Sequence, residues 1–416
     1  MSETLTNWDK SRWTEAKRPY TDADVLRLRG SVQIEYTLAR KGALRLWKLL
    51  EGHSHLAALD AATGDQAIEQ VQAGLPVIYA STWPADADQV GQMYNCENPS
   101  LLNSLTNLVR NINKSLQRAD QIHYAEGKTE IDWFAPIVAD AQAGFGTVVN
   151  SFESMKALIE AGAAAATFED RVSNDHKSGR RGGKVVVPTH VFIGKLIAAR
   201  LASDVLGVPT VLIARTVANI AEFVLNDSDS RDRVFITKER SSDGYLGFSG
   251  GLDAAIARGL AYAPYADLLW YETSIPNLKE AQSFAAAIHQ RFPGKLLAYN
   301  CSASFDWLNQ LDATTIRNFQ VALSAMGYKF QFVDMAGFHS LNLGMFDLAR
   351  RYRETGMAAY ARLQKNELDS AEHYGYEAVG HQRFVGTDYL EKVAEMIVKA
   401  EFPNAVSTRD GDGDLM

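Results

Sequence analysis

Short apolar runs separated by longer amphipathic stretches dominate the middle of the chain. Eight runs are apolar on both alternations: 56–59 (LAAL), 76–81 (PVIYAS), 136–141 (PIVADA), 163–169 (AAAATFE), 208–215 (VPTVLIAR), 267–273 (DLLWYET), 295–300 (KLLAYN) and 328–334 (YKFQFVD). A strand buried on both faces reads as a continuous apolar run, which marks a parallel sheet covered by helices. The stretches 151–162, 189–206, 251–261, 278–291 and 313–326 carry apolar residues at helical spacing. Eight such βα units predict an α/β fold, a closed (β/α)8 TIM-type barrel with additional N- and C-terminal helices. A doubly wound open sheet is the rival architecture.

The same pattern divides the chain. Residues 1–50 read as an N-terminal helical segment and 51–341 as the barrel. The stretch 82–135 is too long for a simple βα connection and is expected to carry an inserted helical cover. Residues 171–188 are expected to form a lid loop, 342–405 C-terminal helices, and 406–416 (VSTRDGDGDLM) a disordered tail.

Composition narrows the function. The formal net charge of -8 over 416 residues argues against nucleic acid and anionic membrane as partners. Two cysteines, Cys96 and Cys301, are too few for a disulfide framework, and no apolar run approaches a membrane span. Met1 to Lys17 is polar and mixed in charge, unlike a signal peptide. The expectation is a cytoplasmic protein acting on a small molecule.

Barrels of this type build their active sites at the C-terminal ends of the strands. The second strand ends in Ser81, Thr82 and Trp83, the third in Asp140 and Gln142, and the fourth in Glu169, Asp170 and Arg171. The fifth ends in Arg215, the sixth in Glu272, the seventh in Asn300, Ser302 and Ser304, and the eighth in Asp334. Acids at neighbouring strand ends, Asp140 and Glu169, suit a hard divalent cation, Mg2+ or Mn2+. Arg215 and the Asn/Ser cluster suit carboxylate recognition. Taken singly, such residues could merely cap helices. The segment His176 to Lys184, rich in glycine and basic side chains, could close over a bound acid. His339 is expected to be a packed residue rather than a ligand, and Cys301 a small buried hydrophobe.

Phe168-Glu-Asp170 followed by Lys177-Ser-Gly-Arg-Arg-Gly-Gly-Lys-Val-Val-Val-Pro-Thr189 resembles the isocitrate lyase signature, whose loop reads K-K-C-G-H-x-G-G-K-V. Thr37–Trp47, Pro136–Gly146, Ile213–Thr216, Leu297–Ser302, Lys329–Phe332, Ala336–His339 and Gly380–Gln382 also look like segments of that family. The resemblance implies a Mg2+-dependent barrel and a homotetramer that exchanges helices near the C-terminus. It implies cleavage of a 2-hydroxy tricarboxylate to glyoxylate and succinate. By that resemblance Ser81, Thr82, Trp83 and Arg215 hold the oxo-acid end, and Asp140 and Glu169 hold the metal. Gly179, Asn300, Ser302 and Ser304 bind substrate, and Glu272 is a site acid.

The chain also departs from that pattern. Ser178 stands where the catalytic Cys belongs and Arg180 where the His belongs. Gln142 replaces a metal-shell Glu, Cys96 falls about where an Asp would support the metal, and Val217 replaces an Asp. Asp334 replaces a Thr that contacts succinate. A serine hydroxyl is a far weaker acid than a thiol and relays a proton only with help. Asp334 repels a carboxylate placed beside it. The expectation is a metal-assisted carbon–carbon lyase for a 2-hydroxy or 2-oxo acid other than isocitrate, with Ser178, Arg180, Arg215, Glu272 and Asp334 as its catalytic set. A non-catalytic paralogue, an ordinary but weak isocitrate or methylisocitrate lyase, and an oxo-acid carbon–carbon hydrolase are the alternatives.

Overall fold

A computed structural model describes residues 16–81, 99–172 and 184–401. Eight parallel strands close into a barrel in the order β1-β12-β11-β10-β6-β4-β3-β2. They are β1 (Leu56–Asp60), β2 (Val77–Ala80), β3 (Ile137–Asp140), β4 (Ala165–Glu169), β6 (Val211–Thr216), β10 (Leu268–Tyr271), β11 (Leu296–Asn300) and β12 (Tyr328–Val333). Each of the eight apolar runs contains one of them, apart from the C-terminal residue of β1 and of β6, which lies just past its run, so the barrel expectation holds. The amphipathic stretches are helices at Val148–Ala161, Thr189–Leu206, Leu252–Tyr262, Leu278–Arg291 and Ala313–Ala325.

Alternate strand residues face inward. Leu56, Ala58, Val77, Tyr79, Val138, Ala165, Val211, Ile213, Leu268, Trp270, Ala298, Phe330 and Phe332 pack together inside the barrel. Phe332 stacks on Tyr79 at 4.2 Å between ring centroids and meets Trp270 edge-on at 5.0 Å. These rings fill the interior, so it is a packed floor rather than a pore. The outward alternation, including Ile78, Ala139, Phe168, Leu212, Leu269 and Tyr299, packs in a second core shared with the helices.

A second sheet was not anticipated. It runs β5-β7-β9-β8, from Lys184–Val186, Ala221–Val224, Leu246–Phe248 and Ile236–Arg240. Val186, Val217, Ala221, Val224, Phe248 and Ala254 form its core. The expected lid loop 171–188 is therefore partly strand. Arg171 bridges Val186, the Val172 N–H donates to the Val185 carbonyl at 2.9 Å, and the Val187 N–H donates to that of Asp170 at 2.8 Å. Residues 173–183, between these anchors, lie outside the described residues.

Two other boundaries differ. The described part of the cover is one long helix, Pro99–Ala125. The helix Ala336–Thr355 follows β12 directly and runs across the expected boundary at 342. Its start is set by close approach: a Cβ on Gly337 would lie 2.6 Å from Gln66 Oε1 and 2.9 Å from the Asp60 carbonyl. The tail 406–416 lies outside the described residues.

Candidate active site

Just beyond the last apolar inward position every barrel strand presents a polar side chain, two residues on in seven strands and four on in β4, where Thr167 intervenes. These are Asp60, Ser81, Asp140, Glu169, Arg215, Glu272, Asn300 and Asp334. Strand alternation alone brings them to one mouth. Seven were singled out from the sequence; Asp60 was not, although the same count of two finds it. Thr82, Trp83, Ser178, Gly179, Arg180 and Cys96 lie outside the described residues.

Arg215 organises one wall. Its Nη1 lies 3.1 Å from Glu169 and its Nη2 3.0 Å from Glu272, and the guanidinium sits over Trp270 at 4.1 Å. Among the described residues its Nε is buried without a partner. Arg215 thus bridges two acids, and Nε is its spare donor among the described residues. Arg171 adds a second contact to Glu169 at 3.1 Å. Burial pushes Glu169 up, but Arg171, Arg215, Lys184 and Lys195 outweigh it, and its carboxyl lies below the usual range. Glu272 lies above that range, because burial outweighs Arg215 and Lys184. Burial lowers the Lys184 ammonium, and lowers that of Lys195, which donates to the Ala143 carbonyl at 2.6 Å, to about 8.

Asp140 sits beside this wall. Thr167 Oγ1 at 2.7 Å and the Gln142 N–H at 3.0 Å both donate to its Oδ1. Gln142 adopts φ 46°, an uncommon choice for a residue with a side chain. That turn aims its N–H at the carboxylate. Burial raises the Asp140 carboxyl, and among the described residues it makes no ion pair. The two metal candidates are therefore unequal. Both Glu169 oxygens are engaged by arginines, and no group of three metal-ligating side chains occurs among the described residues. A cation that keeps most of its waters and takes one direct carboxylate fits this donor set, which is the habit of Mg2+.

Across the mouth, Ser302 and Ser304 share a 2.8 Å hydrogen bond, and Asn300 Oδ1 accepts from the Asp334 N–H at 3.5 Å. Asp334 Oδ1 accepts from the Ala303 N–H at 3.3 Å. The structure thus places Asp334 among the Asn300, Ser302 and Ser304 set. Asn300 Nδ2 and Ser81 Oγ are buried without hydrogen-bond partners among the described residues. Orphaned polar atoms converging on one cleft are the mark of a ligand site. Tyr79 joins this site without having been singled out for it, beside Arg171 from the fourth strand end and Lys184 from the basic segment. Of the smaller expectations, Cys301 is buried, and burial with Asp334 pushes its thiol up to about 12. His339 is exposed rather than packed.

The isocitrate lyase family model matches residues 1–239 and 237–407. An isocitrate lyase of Halalkalibacterium halodurans is 55% identical over 388 residues, covering 93% of this chain and 91% of that protein. An isocitrate lyase of Escherichia coli is 50% identical over 409 residues, covering 95% and 94%. Among solved structures, an oxaloacetate acetylhydrolase superposes with a TM-score of 0.56 at 18% identity, covering 86% of this chain and 98% of that one. A 2,3-dimethylmalate lyase superposes with a TM-score of 0.56 at 19% identity, covering 90% and 99%. These two show the fold alone.

Proposed function

The chain belongs to the isocitrate lyase family and is a carbon–carbon lyase, and from that premise we propose that its substrate is a 2-hydroxy or 2-oxo acid whose far end is not the carboxylate of isocitrate. The observation that carries this reading is the asymmetry of the mouth. Arg215, with a spare buried donor, and Asp140 stand on one side, while an added acid, Asp334, stands among the residues that would meet the far end.

Arg215 holds the carboxylate of the oxo-acid end, oriented by Glu169, Glu272 and the Trp270 ring. Asp140 would hold a Mg2+ or Mn2+ ion, with Glu169 placed to orient its waters; when bound, the ion polarises the oxygens of the 2-oxo acid. In cleavage the hydroxyl proton leaves to a base, the bonding pair moves to the departing carbon, and that carbon takes a proton. Burial lowers the Lys184 ammonium, which suits it to accept the first proton. Ser178, replacing the family Cys, is a poor donor of the second. The reading also takes the enzyme as a cytoplasmic homotetramer. Exposed Leu341, Leu343, Met345 and Phe346 on the helix Ala336–Thr355 support association between copies.

Release of 2-oxo acid from isocitrate and methylisocitrate tests the reading. The expected turnover on both is at least 100-fold below the roughly 10 s-1 common among enzymes. The double change Ser178→Cys with Arg180→His should recover little, and adding Asp334→Thr should recover most of the loss. Ordinary turnover on isocitrate by the unaltered chain would refute the reading.

A further inference from the structure

The mouth has two walls of opposite sign. In the closed strand order β6 and β4 lie diametrically across from β1 and β12. The first pair carries Arg215 and Glu169, with Arg171 beside them. The second carries Asp60 and Asp334. β1 and β12 pair in parallel with Ala58 opposite Phe332 and Leu59 opposite Val333. Continued by one residue, that register sets Asp60 against Asp334. Like charges directly across a strand pair are destabilising, and among the described residues neither acid makes an ion pair.

The compensation visible for these acids is partial. Asp60 Oδ1 accepts from the Gly337 N–H at 2.7 Å, at the N-terminus of the helix Ala336–Thr355. Among the described residues its Oδ2 is buried without a partner, and the residue has 0% exposure. Burial pushes the Asp60 carboxyl up to about 6, and the Asp334 charge adds to the push. Ser81, at the end of the neighbouring strand β2, is 2% exposed, and its hydroxyl has no partner among the described residues. That hydroxyl can accept a hydrogen bond.

We propose that the β1–β12 side of the mouth is an ammonium subsite, in which Asp60, Asp334 and Ser81 receive the protonated amine of a substrate whose carboxylate lies against Arg215. This deepens the reading above and rests on it. The substrate class is then an amino-bearing 2-hydroxy or 2-oxo acid, whose opposite charges match the two walls. An ammonium supplies several donors to oxygens that otherwise repel one another, whereas a carboxylate in the same place would add a third negative charge.

Calorimetric titration of the whole enzyme in Mg2+ tests this. Glyoxylate is titrated first, then succinate, β-alanine and 4-aminobutyrate are compared on the glyoxylate-loaded enzyme. The expected result is that an amino acid of this set binds at least tenfold more tightly than succinate. The double variant Asp60→Asn with Asp334→Asn should erase that preference. The single variant Asp334→Asn, at a half-buried site, keeps the test open if the double does not fold; it should lower the preference and raise the melting temperature by relieving the repulsion. Succinate binding as tightly as either amine, or a preference unchanged in the variants, would overturn the subsite alone. Failure of glyoxylate to bind would take down the functional reading and the subsite with it.

Discussion

Arg215→Gln is expected to remove carbon–carbon cleavage on any substrate, by at least two to three orders of magnitude, roughly the cost of losing one preorganised donor to a developing anion. The larger part of the effect is electrostatic. Glu169 and Glu272 are joined by one guanidinium at 3.1 and 3.0 Å, Glu169 also meets Arg171 at 3.1 Å, and the three joined side chains are nearly buried. Without it Glu272 loses its ion pair at low exposure and Glu169 keeps only Arg171, which costs about 3–5 kcal/mol of stability. The pH dependence gives a second readout. Losing Arg215 raises both carboxyls, so the folded state of the variant binds protons that the unfolded chain releases. A raised carboxyl destabilises the fold while ionised and ceases to do so as pH falls through its folded value. The variant should therefore lie closer to the parent in melting temperature at pH 6 than at pH 8. Calorimetry at the two values, beside the cleavage assay, checks this; an equal deficit at both would show that the acids are not coupled through Arg215.

Arg258→Met should produce the largest loss of stability of any single substitution considered. Its guanidinium donates to Asp170 Oδ2, Asp232 Oδ1 and the Tyr262 hydroxyl, each at 3.0 Å, with all of the charged side chains at 2% exposure or less. Asp170 also accepts from Thr216 Oγ1 at 2.7 Å and the Val217 N–H at 2.9 Å. Asp232 accepts from the Thr189 N–H at 2.8 Å and Oγ1 at 2.7 Å. One arginine thus joins the end of β4, the turn after β6 and the start of the helix Thr189–Leu206. Removing it strands two buried carboxylates, at a cost of about 3–5 kcal/mol or more. Arg258→Lys keeps the charge but lacks the planar fork needed to serve both acids, so it should fall between parent and Met. Denaturant unfolding of the three proteins measures this. A Met variant within 1 kcal/mol of the parent would contradict the role assigned to the network.

The barrel was legible because parallel strands buried on both faces leave continuous apolar runs such as LLAYN, which few other structures produce. The small sheet was not. Its strand Ile236–Arg240 (ITKER) is largely exposed, and Lys184–Val186 is only three residues long. Such segments become strands through pairing with partners distant in sequence, not through their own pattern. The same holds for Arg258, whose partners Asp170 and Asp232 lie 88 and 26 residues away. Most of the mouth was legible from strand ends, and the resemblance to the isocitrate lyase loop added the family. The pairing of Arg215 with two acids was not, because it depends on the order and register of the neighbouring strands β4, β6 and β10. Asp60 was legible in principle: it stands two residues after the inward Ala58, as Asp334 stands two after Phe332.

The central claim is that the mouth grips an oxo-acid head at Arg215 and Asp140 and meets the rest of the substrate with an acidic wall. A crystal structure of the enzyme soaked with glyoxylate and Mg2+ tests it most directly. Glyoxylate should lie with its carboxylate against Arg215 and the cation on Asp140, leaving the Asp60–Asp334 side open. Density elsewhere, or none at Arg215 and Asp140 at saturating glyoxylate, would contradict it.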